Sequence, residues 1–173
     1  LEVAKYENLD LVHVHYAIPH AVSAYLAKQM LAHQRRLPIV TTLHGTDITL
    51  IGLDPGYMPL VKFSLEQSDQ VTAVSRFLAE KTKTGFAVER EIMVINNFID
   101  VDLYYRQPCN EFVKTLSPNG EKIIMHVSNF RPVKRVVDAV LIFEKIVSKL
   151  PAKLVFIGDG PDRKEAERVT REL

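Results

Sequence analysis

Short runs rich in valine and isoleucine alternate with longer segments of helical period along most of this chain, and few folds accept that rhythm. Residues 11–15 precede a helical stretch at 21–35, and 39–42 precede another at 57–67. The run 71–74 is followed by a helix at 77–84, and 92–95 closes this first set. A second set runs 122–127, helix 134–149, 153–157 and a last helix from Asp162 onward. In helix 134–149, Val136, Val140, Phe143 and Val147 recur at spacings of four, three and four, which puts them on one face. The short runs barely alternate between apolar and polar residues, as expected of parallel strands covered on both faces. Repeated β-α units make the class α/β.

Between residues 98 and 120 neither period is sustained, and Pro108, Pro118, Asn119 and Gly120 interrupt the segment. A structureless stretch beyond about 12–15 residues is uncommon inside one compact domain. The segment therefore reads as a linker at 99–120, with a short helix at 111–116, between α/β domains at 1–98 and 121–173. The chain begins at Leu1 without a methionine and stops within a helical pattern at Leu173, so it is expected to be an excerpt of a longer protein. A net charge of +1 supplies no global field to collect nucleic acid, and any bound anion must be held by local groups. One cysteine, Cys109, excludes an internal disulfide framework and fits a reducing compartment, here the cytoplasm. It reads as an incidental loop thiol. No apolar run reaches the roughly 18–20 residues of a membrane span. Homo-oligomerisation is left open.

In parallel α/β sheets, ligands bind beyond the carboxyl ends of the strands. Each predicted strand end carries hydrogen-bonding groups: His15, Tyr16 and His20; His44, Gly45, Thr46 and Asp47; Ser75 and Arg76; Asn96 and Asn97; Ser128 to Arg135; and Gly158 to Pro161. Six such loops in succession suggest a cleft built jointly by two domains. The 128–135 loop has the sharpest meaning. It puts Arg131, Lys134 and Arg135 at a strand-to-helix turn, where free amides and the helix dipole already favour an anion such as a diphosphate. Gly158 and Gly160 form a Gly-x-Gly turn that either admits a nucleotide or simply turns tightly; the full dinucleotide fingerprint is missing. His13 and His15 share one strand face, but no cysteine or carboxylate nearby completes a metal set, so no metal is expected. His15, nearer the strand end, is placed to orient the following loop. His13 reads as core or partly buried, His126 as core, and His20 and His33 as surface helix residues. No Gly-x-Ser-x-Gly elbow or Cys/His pair points to a hydrolase.

The segments His13-Val14-His15-Tyr16-Ala17-Ile18-Pro19-His20, Thr41-Thr42-Leu43-His44-Gly45-Thr46-Asp47, Ala73-Val74-Ser75, Val94-Ile95-Asn96-Asn97-Phe98-Ile99-Asp100, the 128–135 loop and Phe156-Ile157-Gly158-Asp159-Gly160-Pro161 resemble family 4 of the retaining glycosyltransferases. The resemblance covers nearly the whole chain, with the motifs in the family's order. It implies the GT-B fold, two Rossmann-like, doubly wound parallel-sheet domains facing a cleft, of which this chain would hold an incomplete part of each. Within the family, the wording around His15, His44 and Arg131 is most similar to members that move N-acetylglucosamine from UDP-N-acetylglucosamine to L-malate in bacillithiol biosynthesis. Lys134 matches the family lysine on the donor diphosphate, and His44 the histidine against the transferred sugar. The family's customary arginine aligns with Asn129, so Arg131, two places later, is expected to take the phosphate contact. Ser128, Asn129, Gly158 and Gly160 complete the implied donor site. No cofactor or metal is implied, since cationic side chains take the place of a divalent ion. From strand-end position alone, Tyr16, Thr41, Thr42, Arg76 and Asn97 are expected on the rim that receives malate. The family's Gly-rich loop and late glutamate pair are not in this sequence, so residues 1–173 alone are expected to be inactive. Three other readings are a relative with a lipid-linked or sugar acceptor, a UDP-N-acetylglucosamine epimerase, and a non-catalytic nucleotide-sugar-binding protein.

Overall fold

A computed structural model describes residues 1–49, 54–108 and 110–173, which leaves Cys109 outside the described residues. The chain divides into two compact units, Leu1–Val101 and Asp102–Leu173.

The first unit is built on a four-stranded parallel sheet in the order β1 (Val12–His15), β2 (Ile39–Leu43), β3 (Gln70–Ala73) and β4 (Ile92–Val94). Register pairs His15 with Thr42 and Thr42 with Thr72. The connections are α1 (Glu2–Tyr6) before β1, a π-turn (Ala17–Ala21) running into α2 (Val22–Leu31), α3 (Thr46–Thr49), α4 (Met58–Gln67) and α5 (Arg76–Phe86). One core holds Leu43, Val71 and Ala73 of the sheet against Val61 and Leu65 of α4 and Leu78, Ala79 and Phe86 of α5. Each fully buried Leu or Val in such a core contributes about 1.5–3 kcal/mol relative to exposure. A smaller cluster joins Ala4 of α1 to Leu31 and Leu37.

Both faces of β2 and β3 are covered, as the unalternating runs predicted, but β1 is not. There Val12 and Val14 turn inward while His13 and His15 stay exposed. Period-two geometry then assigns the two threonines of β2 to opposite faces. Thr41 points into the buried side, fully inaccessible, with its hydroxyl 2.7 Å from that of Ser68. This corrects the expectation that Thr41 sits on the rim.

Local chemistry fixes the helix ends. Ser75, extended at φ −157°, caps α5 by accepting from the Leu78 amide. The C-terminal carbonyls of α4 receive the Arg90 guanidinium, which donates to Leu65 O and Asp69 O, each at 2.8 Å, and to Ser68 O.

The second unit holds α6 (Asn110–Leu116), the parallel pair β5 (Lys122–Val127) and β6 (Ala152–Ile157), a 3-10 turn (Pro132–Lys134), α7 (Val136–Val147) and α8 (Arg163–Glu172). The predicted apolar face of α7 is used at its N-terminal half. Val136 and Val140 are buried with Phe130 and Ala166, whereas Phe143 is half-buried and Val147 exposed. His126, read from the sequence as core, is half-buried, its ring 5.4 Å from that of Phe156. Among the described residues no helix is long and apolar enough to cross a membrane.

Candidate functional site

In the first unit the carboxyl ends of β1 and β2 bring together what the sequence holds 29 residues apart. His15 Nδ1 lies 2.7 Å from His44 Nε2. His13 Nε2 lies 2.7 Å from Thr42 Oγ1, which is itself 2.7 Å from Thr72 Oγ1. The ring of Tyr16 stands 5.2 Å from that of His44. A cleft of about 190 Å³ opens here, lined by His13, His15, Thr42, His44, Thr72 and Asn97 among others.

The loop after β1 is held by several independent bonds. The Tyr16 amide donates to Thr42 O at 2.9 Å, extending the ladder one residue past β1. Tyr16 then takes φ +78°, a conformation that costs a non-glycine residue about 1–3 kcal/mol and persists only where the surroundings impose it. Asp47, buried, accepts from the Ala17 amide with one carboxylate oxygen and from the Gly45 amide with the other, both at 3.0 Å. That single side chain ties the loop after β1 to the turn carrying His44. The sequence shows Asp47 only as a polar neighbour of His44; nothing local announces that Ala17 is its partner.

Of the residues expected on the acceptor rim, Thr42 and Asn97 line the cleft and Tyr16 borders it through His44. Thr41 lies on the other face of the sheet, and Arg76 is not among the lining residues. Arg76 occupies the first position of α5, exposed and without a side-chain partner among the described residues. No group of three or more His, Cys, Asp or Glu suited to a metal ion occurs among the described residues.

Partial desolvation by neighbouring atoms, then the charges of His15 and His44, lower the His13 imidazole below its ordinary value of 6.5. The folded state therefore binds fewer protons at His13 than the unfolded chain does. Its contribution to stability is complete above pH 6.5 and is lost as pH falls through the lowered folded value. Urea midpoints are expected to drop between pH 7.5 and 5.5, and His13→Gln is expected to reduce that drop. An equal drop in both proteins would remove His13 as its source.

In the second unit, the loop after β5 is stitched to the loop after β6. Ser128 N–H donates to Ile157 O at 3.1 Å, Phe130 N–H to Asp159 O at 2.9 Å, and Asp162 N–H to Phe130 O at 2.9 Å. Gly158 at φ +139° and Gly160 at φ +156° allow this approach. A Cβ on Gly160 would lie 2.7 Å from the backbone N and O of Phe130, and one on Gly158 would strike the carbonyl of Ser128. The demand for glycine thus comes from the neighbouring loop's own backbone. Ser128 Oγ is 2.8 Å from His126 Nε2, while Asn129 is exposed.

The cations of this loop differ in their freedom. Arg135, at φ +51°, turns back to pair with Asp138. Arg131 and Lys134 are exposed and make no side-chain hydrogen bond or ion pair among the described residues. They flank the start of α7, whose first α-helical bond runs from the Ala139 amide to Arg135 O at 3.2 Å. The amides of residues 136–138 precede that bond and no side chain caps them.

The N-acetyl-alpha-D-glucosaminyl L-malate synthase of Bacillus anthracis is 51% identical over 93% of this chain, which spans 42% of that protein. An uncharacterized glycosyltransferase of Methanocaldococcus jannaschii is 29% identical over 96% of the chain and 44% of its own length. The chain thus spans less than half of either relative. Sucrose-phosphate synthase of Thermosynechococcus elongatus superimposes with a TM-score of 0.68 at 18% identity, over 99% of this chain and 43% of its own. That likeness establishes the fold, α/β of the GT-B type, of which this chain forms a part. The sequence model of glycosyltransferase family 4 matches residues 1–103, more than half of the chain, and the chain belongs to that family.

Proposed function

We propose that the protein is a retaining glycosyltransferase that transfers N-acetylglucosamine from UDP-N-acetylglucosamine to a hydroxyl of L-malate, a step of bacillithiol biosynthesis. The observation that carries this reading is the 51% identity to the malate synthase across 93% of the chain. The free cations Arg131 and Lys134 beside uncapped helix amides, and a histidine-lined cleft at the strand ends of the first unit, support it chemically.

Lys134 and Arg131 hold the donor diphosphate at the start of α7, with Ser128, Asn129, Gly158 and Gly160 shaping the turn around it. His44 stands against the transferred sugar. The bond from the sugar's anomeric carbon to the UDP oxygen breaks on the face where the malate oxygen bonds, so configuration is retained. The malate hydroxyl proton passes to the departing phosphate, and charge builds on the diphosphate as it leaves. Fixed cations aimed at that charge stabilise the transition state more than the bound substrate. Malate is a dianion and needs donors, which Tyr16, Thr42, Arg76 and Asn97 supply in this reading. The site requires no metal, since side-chain cations take the neutralising role. The enzyme works in the cytoplasm.

The test is UDP release by the full natural chain given UDP-N-acetylglucosamine with and without L-malate, with the product's anomeric configuration read by NMR. Malate-dependent release with an α-linked product is expected. Release only with a lipid-linked or sugar acceptor would reject malate. Donor binding without turnover on any acceptor would make the protein a nucleotide-sugar binder instead.

A further inference from the structure

The role proposed for His44 leaves unexplained what holds its ring. His44 is the first residue after β2 and begins the turn that Asp47 holds, and a held backbone still leaves the ring free to rotate about its side-chain bonds. His15 is the last residue of β1, in register with Thr42, and its surroundings are fixed on both sides. Its carbonyl lies 2.7 Å from His20 Nδ1, and because a carbonyl only accepts, His20 carries a proton on Nδ1. The next amide, of Tyr16, is bound to Thr42 O. The His15 backbone is therefore held in place, with the His13 ring tilted by 34° beside its own at a separation of 4.7 Å.

The contact between His15 Nδ1 and His44 Nε2, at 2.7 Å, joins two ring nitrogens. Such a bond needs one N–H and one lone pair, so the two rings share a single proton along that line. Whichever ring donates, His44 Nε2 is occupied and Nδ1 is the only ring nitrogen of His44 left for a ligand. Its protonation is the complement of that at Nε2.

We propose that His15 is a positioning residue for His44: the nitrogen-to-nitrogen bond holds the ring's orientation and ties its tautomer to that of His15, so that Nδ1 alone meets the donor sugar. This rests on the role given to His44 above. An imidazole free to rotate and exchange tautomers would present the wrong group part of the time, and misplacement of about 1 Å costs up to about a hundredfold in rate.

Full natural chain with 15N-labelled histidine tests this by long-range 1H–15N spectra at pH 7.5. Wild type is expected to show complementary protonation across the bond, with only one of His15 Nδ1 and His44 Nε2 carrying the proton. His15→Leu should give shifts averaged between tautomers and lower kcat about tenfold to a hundredfold, with a smaller change in donor KM. In His15→Asn the side-chain amide stands about where Nδ1 stands and can donate to or accept from His44 Nε2, so the bonded His44 ring and most of kcat should return. Should the leucine variant not fold, the asparagine variant decides alone, because an unbonded His44 Nε2 in it would overturn the proposal. Unchanged His44 shifts in a folded His15→Leu protein would overturn it as well. The spectra do not depend on turnover. A bonded His44 in a protein that transfers no sugar would sink the function and keep the positioning, whereas transfer with an unbonded His44 would do the reverse.

Discussion

Lys134→Ala in the full natural chain is expected to lower kcat/KM for glycosyl transfer by about 10²–10³, the range seen when a preorganised donor to developing negative charge is removed. The expectation follows from the state of that ammonium group. Lys134 ends the 3-10 turn before α7, exposed and without an acidic partner among the described residues. A cation already paired spends its field on its partner, whereas a free one beside uncapped helix amides is available to a diphosphate. Arg135 provides the internal comparison. It is adjacent in sequence, but its guanidinium pairs with Asp138, so Arg135→Ala should change kcat/KM much less. The measurement is initial-rate UDP release at several donor concentrations, with circular dichroism confirming the fold of each variant. Equal losses at Lys134 and Arg135 would reduce the effect to general positive charge. Wild-type kcat/KM in Lys134→Ala would remove the second unit's loop as the diphosphate site.

These two neighbours also show how far the sequence can be read. Arg131, Lys134 and Arg135 stand together as a basic turn, and from composition all three suit an anion equally. Only the left-handed backbone at Arg135 and its pairing with Asp138 separate them. The long periodic elements were legible because their signal is local: the run at 122–127 emerges as β5 with the same bounds, and helix 134–149 as α7 shortened at both ends. The short ones were not. Helix α3, four residues long, shows no period, and a side chain bonded to a distant loop, Asp47 to Ala17, helps fix the turn it starts from. Helix α1 likewise depends on packing of Ala4 against Leu31 and Leu37. Within β2 the pair Thr41-Thr42 reveals that the two side chains oppose each other, but not which one faces α4. Ser68, 27 residues later, takes Thr41 and leaves Thr42 to the cleft. The bond between His15 and His44 has the same origin, for parallel pairing of β1 with β2 brings distant residues level.

Gly158→Ala is expected to unfold the second unit or come close to it. Two separate costs add at this position. Gly158 has φ +139°, which an L side chain rarely adopts, and forcing it there costs about 1–3 kcal/mol. The new methyl would also strike the backbone carbonyl of Ser128, with the carbonyl carbon at 3.0 Å and a ring carbon of Phe130 at 3.2 Å. Backbone cannot swing aside as a flexible side chain does, and overpacking of this kind costs typically about 1–3 kcal/mol more. Ser128 itself cannot retreat cheaply, since its amide donates to Ile157 O just past the end of β5. The sum, on the order of 4 kcal/mol, approaches the whole stability of a small domain. The two units should respond differently, because the strain is confined to the second. Thermal unfolding followed by hydrogen exchange should show loss of protection in β5, β6 and α7 while β1–β4 keep theirs. Gly85→Ala is the matched control: a Cβ there meets nothing within 4 Å, and alanine favours the helix interior. Equal melting temperatures for the two alanine variants would mean that the loops after β5 and β6 do not close on each other, and with them would go the turn on which Lys134 and Arg131 are mounted.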